Sequence, residues 1–566
     1  MSIAINSETT RPLHPDAVRI LPLGGLGEIG LNMMVIEAAG GLLIIDCGLM
    51  FPEAYMLGID LVIPDITAIV ERKDEIRGLL LTHGHEDHIG AIPFLIEALG
   101  FPPIYSSPLT LGLLDNKLEE HQLKSRVTCR SIKVREPIEI GPFEVEFFRA
   151  AHSIVDGCGL AIRTPAGLIV HTGDFKLDPT PVDNQPTDLG RLASYGEEGV
   201  LLLFSDSTNV ENTGQTLSER TVGDALNDLL PRCTGKILVA TFSSNIHRIQ
   251  QIVNAAIKAG RKVMVSGRSM VSNIAIARQL GYLTIPDDIL IDLRQMRDMP
   301  SEQVLILTTG SQGEPLSSLS RIAMDDHKQI SIEPGDTVIL SSKFIPGNER
   351  AITHLINHLY RRGAEVHYET TSEIHVSGHA SQNELKTVLN LVKPKYFVPV
   401  HGEYRHLVKH AQLAQSMGWQ ADRAIVISNG TPLVISENGH HVEPKAETGR
   451  VFIDGKGVGD VGEMELRDRR HLANHGLVIV FLALNQSSGA IVSGPEIITR
   501  GFIPEEESEE LLSEARERVC QMLEEHSPAA MADWEELRVE VRKILRRLFN
   551  KTMARRPLIL PVIMEL

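Results

Sequence analysis

The chain has 566 residues, 43% hydrophobic and 23% charged, a balance that excludes collagen-like, coiled-coil and wholly disordered classes. At roughly 100–200 residues per domain, the length suggests about three domains. The formal charge of −18 is not that of a generic nucleic-acid binder, although net charge leaves room for a local basic groove. The five cysteines are scattered and form no C-x-x-C, which favours reduced thiols in a cytoplasmic chain. No apolar run approaches the roughly 18 residues of a membrane span. The opening segment MSIAINSETTRPLHPDA lacks the apolar core of a signal peptide, so no membrane association is expected.

In chain order, apolar or alternating runs at 33–37, 42–46, 78–82, 143–149 and 167–171, bounded by Gly, Pro or Asp, read as strands. Few helices intervene, which favours a sandwich over a doubly wound sheet. From about Leu217, helical periodicity over 221–230, 244–258 and 272–280 alternates with strand-like runs at 236–241, 261–266 and 304–308. That is a βα pattern on a parallel sheet. After about Thr370 the Gly/His-punctuated texture returns in VSGHAS and FVPVHGEY. An α/β domain at 216–368 is therefore expected within a first fold made of 1–215 and 369–450, followed by a linker and C-terminal domain at 451–566. In that last region 477–484 reads as a strand and 504–512 as an acidic helix start. Leu537, Val541, Ile544, Leu545 and Leu548 share one packed helix face, and PLILPVIMEL reads as a closing strand.

Gly25-x-Gly27-x-x-Gly30, with Asp46 downstream, matches a dinucleotide fingerprint. That fingerprint needs a helix to start within the glycines, whereas LNMMVIEAAGGLLIIDCG reads as two strands and a turn. The glycines are better read as a tight turn. The dense signal is T-H-G-H-E-D-H, Thr82 to His88, directly after a strand. His83, His85, Asp87 and His88 are four metal-ligand side chains in one sharp turn, suited to Zn²⁺ or Mn²⁺ and able to face two ions. His152, Asp174 and His401 also stand at strand ends, as ligands presented at one sheet edge would. His171 lies within its strand and reads as structural. His379 sits in a glycine turn before a helix.

These motifs resemble the metallo-β-lactamase superfamily. Asp206-Ser207-Thr208-Asn209, the inserted domain, His379 and His401 resemble its β-CASP nucleic-acid-processing branch. LGGLGEIGLN, LGIDLVIPD, THGHEDHIGA, TGDFKLD, DSTNVE, TGSQGEP, IPGNE, HVSGHAS, PVHGEYRHL, DGKGVGDVG and the tail RRPLILPVIMEL are similar, in order, to blocks of the bacterial ribonuclease J family. The resemblance spans nearly the whole chain. It departs in the extension before about Val18.

The resemblance implies an α/β architecture: a metallo-β-lactamase αββα sandwich, an inserted β-CASP domain and a small C-terminal α+β domain. It implies one divalent metal, Zn or Mn, on His83, His85 and His152, a second on Asp87, His88 and His401, and Asp174 bridging them. His379, Asp206 and Asp87 are the expected catalytic residues, with Asp206 orienting a ligand or His379. Ser243, Ser244, Asn245, His375, Val376, Ser377, Gly378 and His379 are expected to bind substrate, the first three at a helix N-terminus suited to phosphate or to plain capping. Gly58, Asp60 and Asp454 resemble positions that hold a structural Ca²⁺ in some relatives.

The implied activity is 5′→3′ exonucleolytic hydrolysis of single-stranded RNA, preferring a 5′-monophosphate end, with internal cleavage as well. The implied setting is RNA maturation and decay in the cytoplasm, with RNA-decay or ribosome-associated partners and a homodimer or homotetramer. Arg248, Arg268 and Lys343 are expected to line an RNA groove. Two other readings compete. A small-molecule hydrolase would need no inserted domain, and a catalytically silent subunit would not need an intact ligand set.

Overall fold

The computed structural model describes residues 13–345, 348–369, 374–455, 457–485, 491–504, 509–525 and 534–565. The extension before Val18 lies outside these up to residue 12, as do 505–508 of the acidic stretch. The chain forms two compact units, one comprising the residues up to Phe51 with Leu61–Val451, the other Pro52–Asp60 with Phe452 onward. The short segment 52–60 thus groups with the C-terminal unit, which a boundary at 451 does not anticipate.

Two sheets make the sandwich of the first unit. One has eight strands, with Ala17–Gly24, Met33–Ala38, Gly41–Ile45 and Ile76–Leu80 adjacent at its centre. The other runs in the order Tyr396–Val400, Val200–Asp206, Gly167–His171, Cys158–Thr164, Phe143–Arg149, Ile138–Ile140. Strand alternation sorts the side chains. Ile20, Ile36, Leu43, Phe147, Leu160, Leu202, Phe204 and Val398 join one core cluster. Phe148, Ala161, Val170, Leu203 and Phe397, from the opposite faces, pack with Leu192, Tyr195, Leu385, Val388 and Leu389 of the helices Leu189–Glu198 and Gln382–Val392.

The inserted region is a five-stranded parallel sheet in the order Lys262–Ser266, Val304–Thr308, Ile237–Ala240, Thr337–Leu340, Glu365–His367. Helix Glu349–Arg361 buries Ile352, Leu355, Ile356 and Leu359, and helix Ile246–Lys258 buries Ile249, Ile252, Val253 and Ala256, the expected helical periods. The chain then returns beside its point of departure. Tyr396–Val400 pairs in parallel with Val200–Asp206, Asp206 facing Val400. Strands Phe143–Arg149, Gly167–His171, Val200–Asp206 and Tyr396–Val400 all run the same way, so their carboxyl ends meet at one edge.

In the C-terminal unit, Leu477–Leu484 pairs in parallel with Leu558–Glu565 and antiparallel with Ile491–Arg500. Helices Glu509–Glu525 and Trp534–Met553 supply Ala515, Val519, Leu537, Val541, Leu545 and Leu548 to its core. The oxygens considered for Ca²⁺ are engaged otherwise. Arg469 donates to Asp454 Oδ2 at 2.5 Å and to the Leu57 carbonyl at 3.1 Å, and Asp60 Oδ2 accepts from Gly455 N at 2.8 Å. A Cβ on Gly58 would lie 2.6 Å from the Arg469 guanidinium. Arg469 therefore shares Asp454 and the loop at Gly58 with the oxygens considered for a cation. Among the described residues, no helix is long and apolar enough to cross a membrane.

Leu545 is fully buried in the C-terminal core. Leu545→Ala should lower stability by about 2–5 kcal/mol through lost transfer energy and the remaining cavity. The measurement is urea denaturation followed by far-ultraviolet circular dichroism.

Candidate metal centre

The edge where the parallel strands end gathers the histidines and carboxylates. Ligand atoms of His83, His85 and His152 lie within 4.8 Å of one another, and so do those of Asp87, His88, Asp174 and His401. Asp174 Oδ2 is central. It lies 3.7 Å from His83 Nε2, 3.4 Å from His88 Nε2, 3.7 Å from His152 Nε2 and 3.3 Å from His401 Nε2.

The opposite ring nitrogens say which way these imidazoles are protonated. His88 Nδ1 is 2.8 Å from Asp46 Oδ2, and His152 Nδ1 is 2.8 Å from the Gly378 carbonyl, so both donate outward. His401 Nδ1 is 2.7 Å from Thr208 Oγ1, whose own proton goes to the His401 carbonyl at 3.1 Å. His83 Nδ1 is 3.1 Å from Thr82 Oγ1, whose proton goes to Asp46 Oδ2 at 2.9 Å. Four Nε2 atoms therefore gather around one carboxylate oxygen. Histidine nitrogens and carboxylate oxygens converging in this way are what a Zn²⁺ or Mn²⁺ pair takes. The donor set fits two divalent ions.

The electrostatics divide the centre in two. Burial first, then the neighbouring imidazoles, hold His83 well below the ordinary histidine range, and burial with His379 does the same to His152. Burial pushes His85 down to about 4. Burial also opposes charge on His88 and His401, but the carboxylates win there. Asp174, Asp87 and Asp46 raise His88, and Asp174, Asp206 and Asp87 raise His401. The half built on Asp87, His88 and His401 thus calls for positive charge in the absence of an ion.

Main-chain contacts fix the histidine turn. Cys47 N donates to the His88 carbonyl, Leu49 N to Glu86 and Asn32 N to Asp87. A Cβ on Gly48 would lie 1.6 Å from the Asp87 carbonyl oxygen, so only glycine permits this approach. Asp46 and His401 both adopt left-handed backbone, with φ of 59° and 53°, a strain that aims their side chains into the centre.

His379 enters from the returning segment. Its Nδ1 is 2.7 Å from Asp206 Oδ2, and Asp206 Oδ1 accepts from Thr208 N at 2.9 Å. Asp206 is held well below the carboxylate range by His379, against its burial. Asp174, Asp206, His379 and His401 form a third close group of donor atoms. Both Asp206 oxygens are already hydrogen-bonded, so it reads as an orienting acid. His379 keeps partial exposure.

The other expected residues divide. Asn245 caps its helix, accepting from Arg248 N at 3.0 Å, so the capping reading holds for it. Ser243 Oγ accepts from Asn273 Nδ2 at 3.1 Å, and Ser244 is half-buried on the same loop. Ser377 Oγ accepts from Asn209 at 2.7 Å, and the Gly378 carbonyl holds His152. Val376 is buried, and His375 is pushed to about 2 by burial and by Arg248, Lys343 and Lys176. Arg268 and Lys343 are exposed beyond the carboxyl ends of two parallel strands. Arg248 is not in a groove. It is fully buried and paired with Glu219, because its first-turn position points inward. His171 stands outside the centre and accepts from Gly173 N at 3.0 Å. Sequence reasoning gave no metal-centre role to Asp46, Thr82, Thr208 or Asn32. Asp46 appeared there only as the acid of a dinucleotide fingerprint. Its place at the end of a strand beside the Ile76–Leu80 strand was the available signal.

Family models match along the chain: the metallo-beta-lactamase superfamily at 26–202, the ribonuclease J beta-CASP domain at 234–359, the Zn-dependent metallo-hydrolase RNA specificity domain at 363–424, and the ribonuclease J C-terminal domain at 464–566. Ribonuclease J2 of Bacillus subtilis is 42% identical over 552 residues, covering 98% of this chain and 99% of that protein. Ribonuclease J of Thermus thermophilus is 44% identical over 556 residues, covering 97% and 96%. The chain belongs to the ribonuclease J family. As a member of the ribonuclease J family it is a metal-dependent ribonuclease. A solved structure titled a protein of unknown function, from Enterococcus faecalis, shares the fold at 15% identity and a TM-score of 0.53, covering 74% of this chain and all of that one.

Asp46 both orients His88 and draws Thr82 into place. In this ribonuclease J centre, Asp46→Ala should weaken divalent-metal affinity by about 10–100-fold with the fold retained. Competition against a chelator, with metal content read by mass spectrometry, checks this.

Proposed function

We propose that the chain hydrolyses RNA phosphodiesters as a 5′→3′ exonuclease that prefers 5′-monophosphate ends, with endonucleolytic cleavage as a second mode, in RNA maturation and decay. The observation that carries the hydrolytic reading is the ring of four Nε2 atoms around Asp174 Oδ2. His83, His85 and His152 would hold one ion, Asp87, His88 and His401 the other, and Asp174 would touch both. Such a pair of ions, when bound, neutralises a phosphodiester oxygen and makes water acidic enough to attack near neutral pH. Zn²⁺ suits the histidine-rich set, with Mn²⁺ as the alternative.

The chain's own residues do the rest. Asp206 holds the His379 Nδ1 proton and turns the ring's other nitrogen free. When that nitrogen also carries a proton, it would donate to the phosphoryl oxygens or pass its proton to the departing oxygen. Ser243, Ser244 and Ser377 would contact the terminal phosphate, and Arg268 and Lys343 the backbone further along. The domain division at 1–215, 216–368, 369–450 and 451–566 gives this path its two walls, the sandwich and the inserted sheet. We place the enzyme in the cytoplasm, as a homodimer or homotetramer with RNA-decay or ribosome-associated partners.

The testing experiment incubates the purified chain with 5′-labelled single-stranded RNA bearing either a monophosphate or a triphosphate. Mononucleotide release faster from the monophosphate end is expected, and equal rates would remove the end preference. His85→Ala should abolish cleavage. His379→Ala should keep the metals and slow turnover by about 10²–10⁴-fold. Loss of an ion from His379→Ala would make it a ligand instead.

RNA affinity should fall linearly with log salt, by roughly 0.7 per phosphate contacted. Charge reversal at Arg268 and Lys343 together should weaken binding and flatten that slope, as read by fluorescence anisotropy.

A further inference from the structure

Arg248 is among the largest fully buried side chains of the molecule. All its guanidinium contacts are matched. Nε and Nη2 grip Glu219 bidentately at 2.5 and 2.9 Å. Nη1 donates to the Ser341 carbonyl at 3.0 Å, to Ser341 Oγ at 2.8 Å and to the Ile374 carbonyl at 3.1 Å. Ser341 Oγ also donates to the Ile374 carbonyl at 2.7 Å. A buried ion pair contributes little net stability against an apolar replacement, so its geometric role is the more informative one.

The location is where both crossings between sandwich and inserted sheet meet. On the outgoing crossing, Lys176 Nζ donates to the Leu217 carbonyl at 3.2 Å, and Asp178 Oδ2 accepts from Glu219 N at 2.9 Å. Glu219 is the residue Arg248 grips. On the return crossing, Arg248 holds Ile374, and the chain runs from there through Ser377 and Gly378 to His379. The far end of that short segment is held as well. The His379 carbonyl accepts from Asn209 Nδ2 at 3.0 Å and from Thr216 Oγ1 at 2.8 Å.

We propose that Arg248 is a positioning residue for the reaction, holding the 374–379 segment so that His379 meets Asp206 and the reacting phosphate. A planar fork with five donors can grip a carboxylate and two main-chain carbonyls at once, which a lysine ammonium cannot. The inference rests on the role given to His379 above.

A double-mutant cycle on the full chain tests it, with kcat and KM measured on single-stranded 5′-monophosphate RNA. Arg248→Lys keeps the charge opposite Glu219 and should keep the fold. It should lower kcat by about 10–10²-fold, the cost of misplacing a reacting group by about an ångström. Adding Arg248→Lys to His379→Ala should lower kcat by no more than about threefold further, because coupled residues are not additive. A merely structural Arg248 would multiply the two losses, and that product, or wild-type kcat in Arg248→Lys, overturns the proposal. If Arg248→Lys does not fold, Arg248→Met combined with Glu219→Gln removes both charges, and the cycle is run on that pair. If His379→Ala alone turns over RNA at the wild-type rate, the His379 reading falls and this inference falls with it. If His379→Ala is slow and the losses multiply, only the inference about Arg248 falls.

Discussion

The structure depends on a crowding that is costly by itself: four imidazole Nε2 atoms gathered around one carboxylate oxygen. Each ring is held in that orientation from behind, by a hydrogen bond to Asp46, Gly378, Thr208 or Thr82. Burying so many ionisable groups together is costly unless their charges are balanced. The fold tolerates them because divalent cations can stabilise them, and because the surrounding main chain leaves no room to relax. The Gly48–Asp87 contact and the left-handed backbones of Asp46 and His401 belong to the same constraint.

The sandwich is shaped to serve this edge. Four strands of one sheet end together there, and the histidine turn arrives from the other sheet beside Asp46. The inserted sheet leaves after Asp206 and returns before His401, so it can be large without disturbing the centre it interrupts. Its return segment contributes His379, which sits in a glycine turn before a helix.

Much of this was legible in the sequence, for a physical reason. Ligands after strands sit beside turn residues and repeat one local pattern, so His83, His85, Asp87, His88, His152, Asp174 and His401 could be picked out and the structure brings them together. The strands 143–149, 167–171 and 477–484 and the buried face of Leu537, Val541, Leu545 and Leu548 followed from period alone. What failed was partner-dependent. An arginine in a helix's first turn reads as exposed unless its acid is known, and Glu219 lies 29 residues away. Nothing local announces that Arg469 reaches Asp454 either. Asp46 carried no signal of its own beyond its strand end.

The long separation between Asp174 and His401 has a consequence during synthesis. His83, His85, His152 and Asp174 leave the ribosome with most of the second sheet, whereas His401 follows only after the whole inserted sheet. At ordinary elongation rates that interval is on the order of tens of seconds. The nascent chain therefore presents one three-histidine group early, with Asp174 beside it, while Asp87 and His88 wait for their last partner. The parallel register of Asp206 and Val400 is then a clasp, and the donor group of Asp87, His88 and His401 is completed only once the inserted sheet has been synthesised.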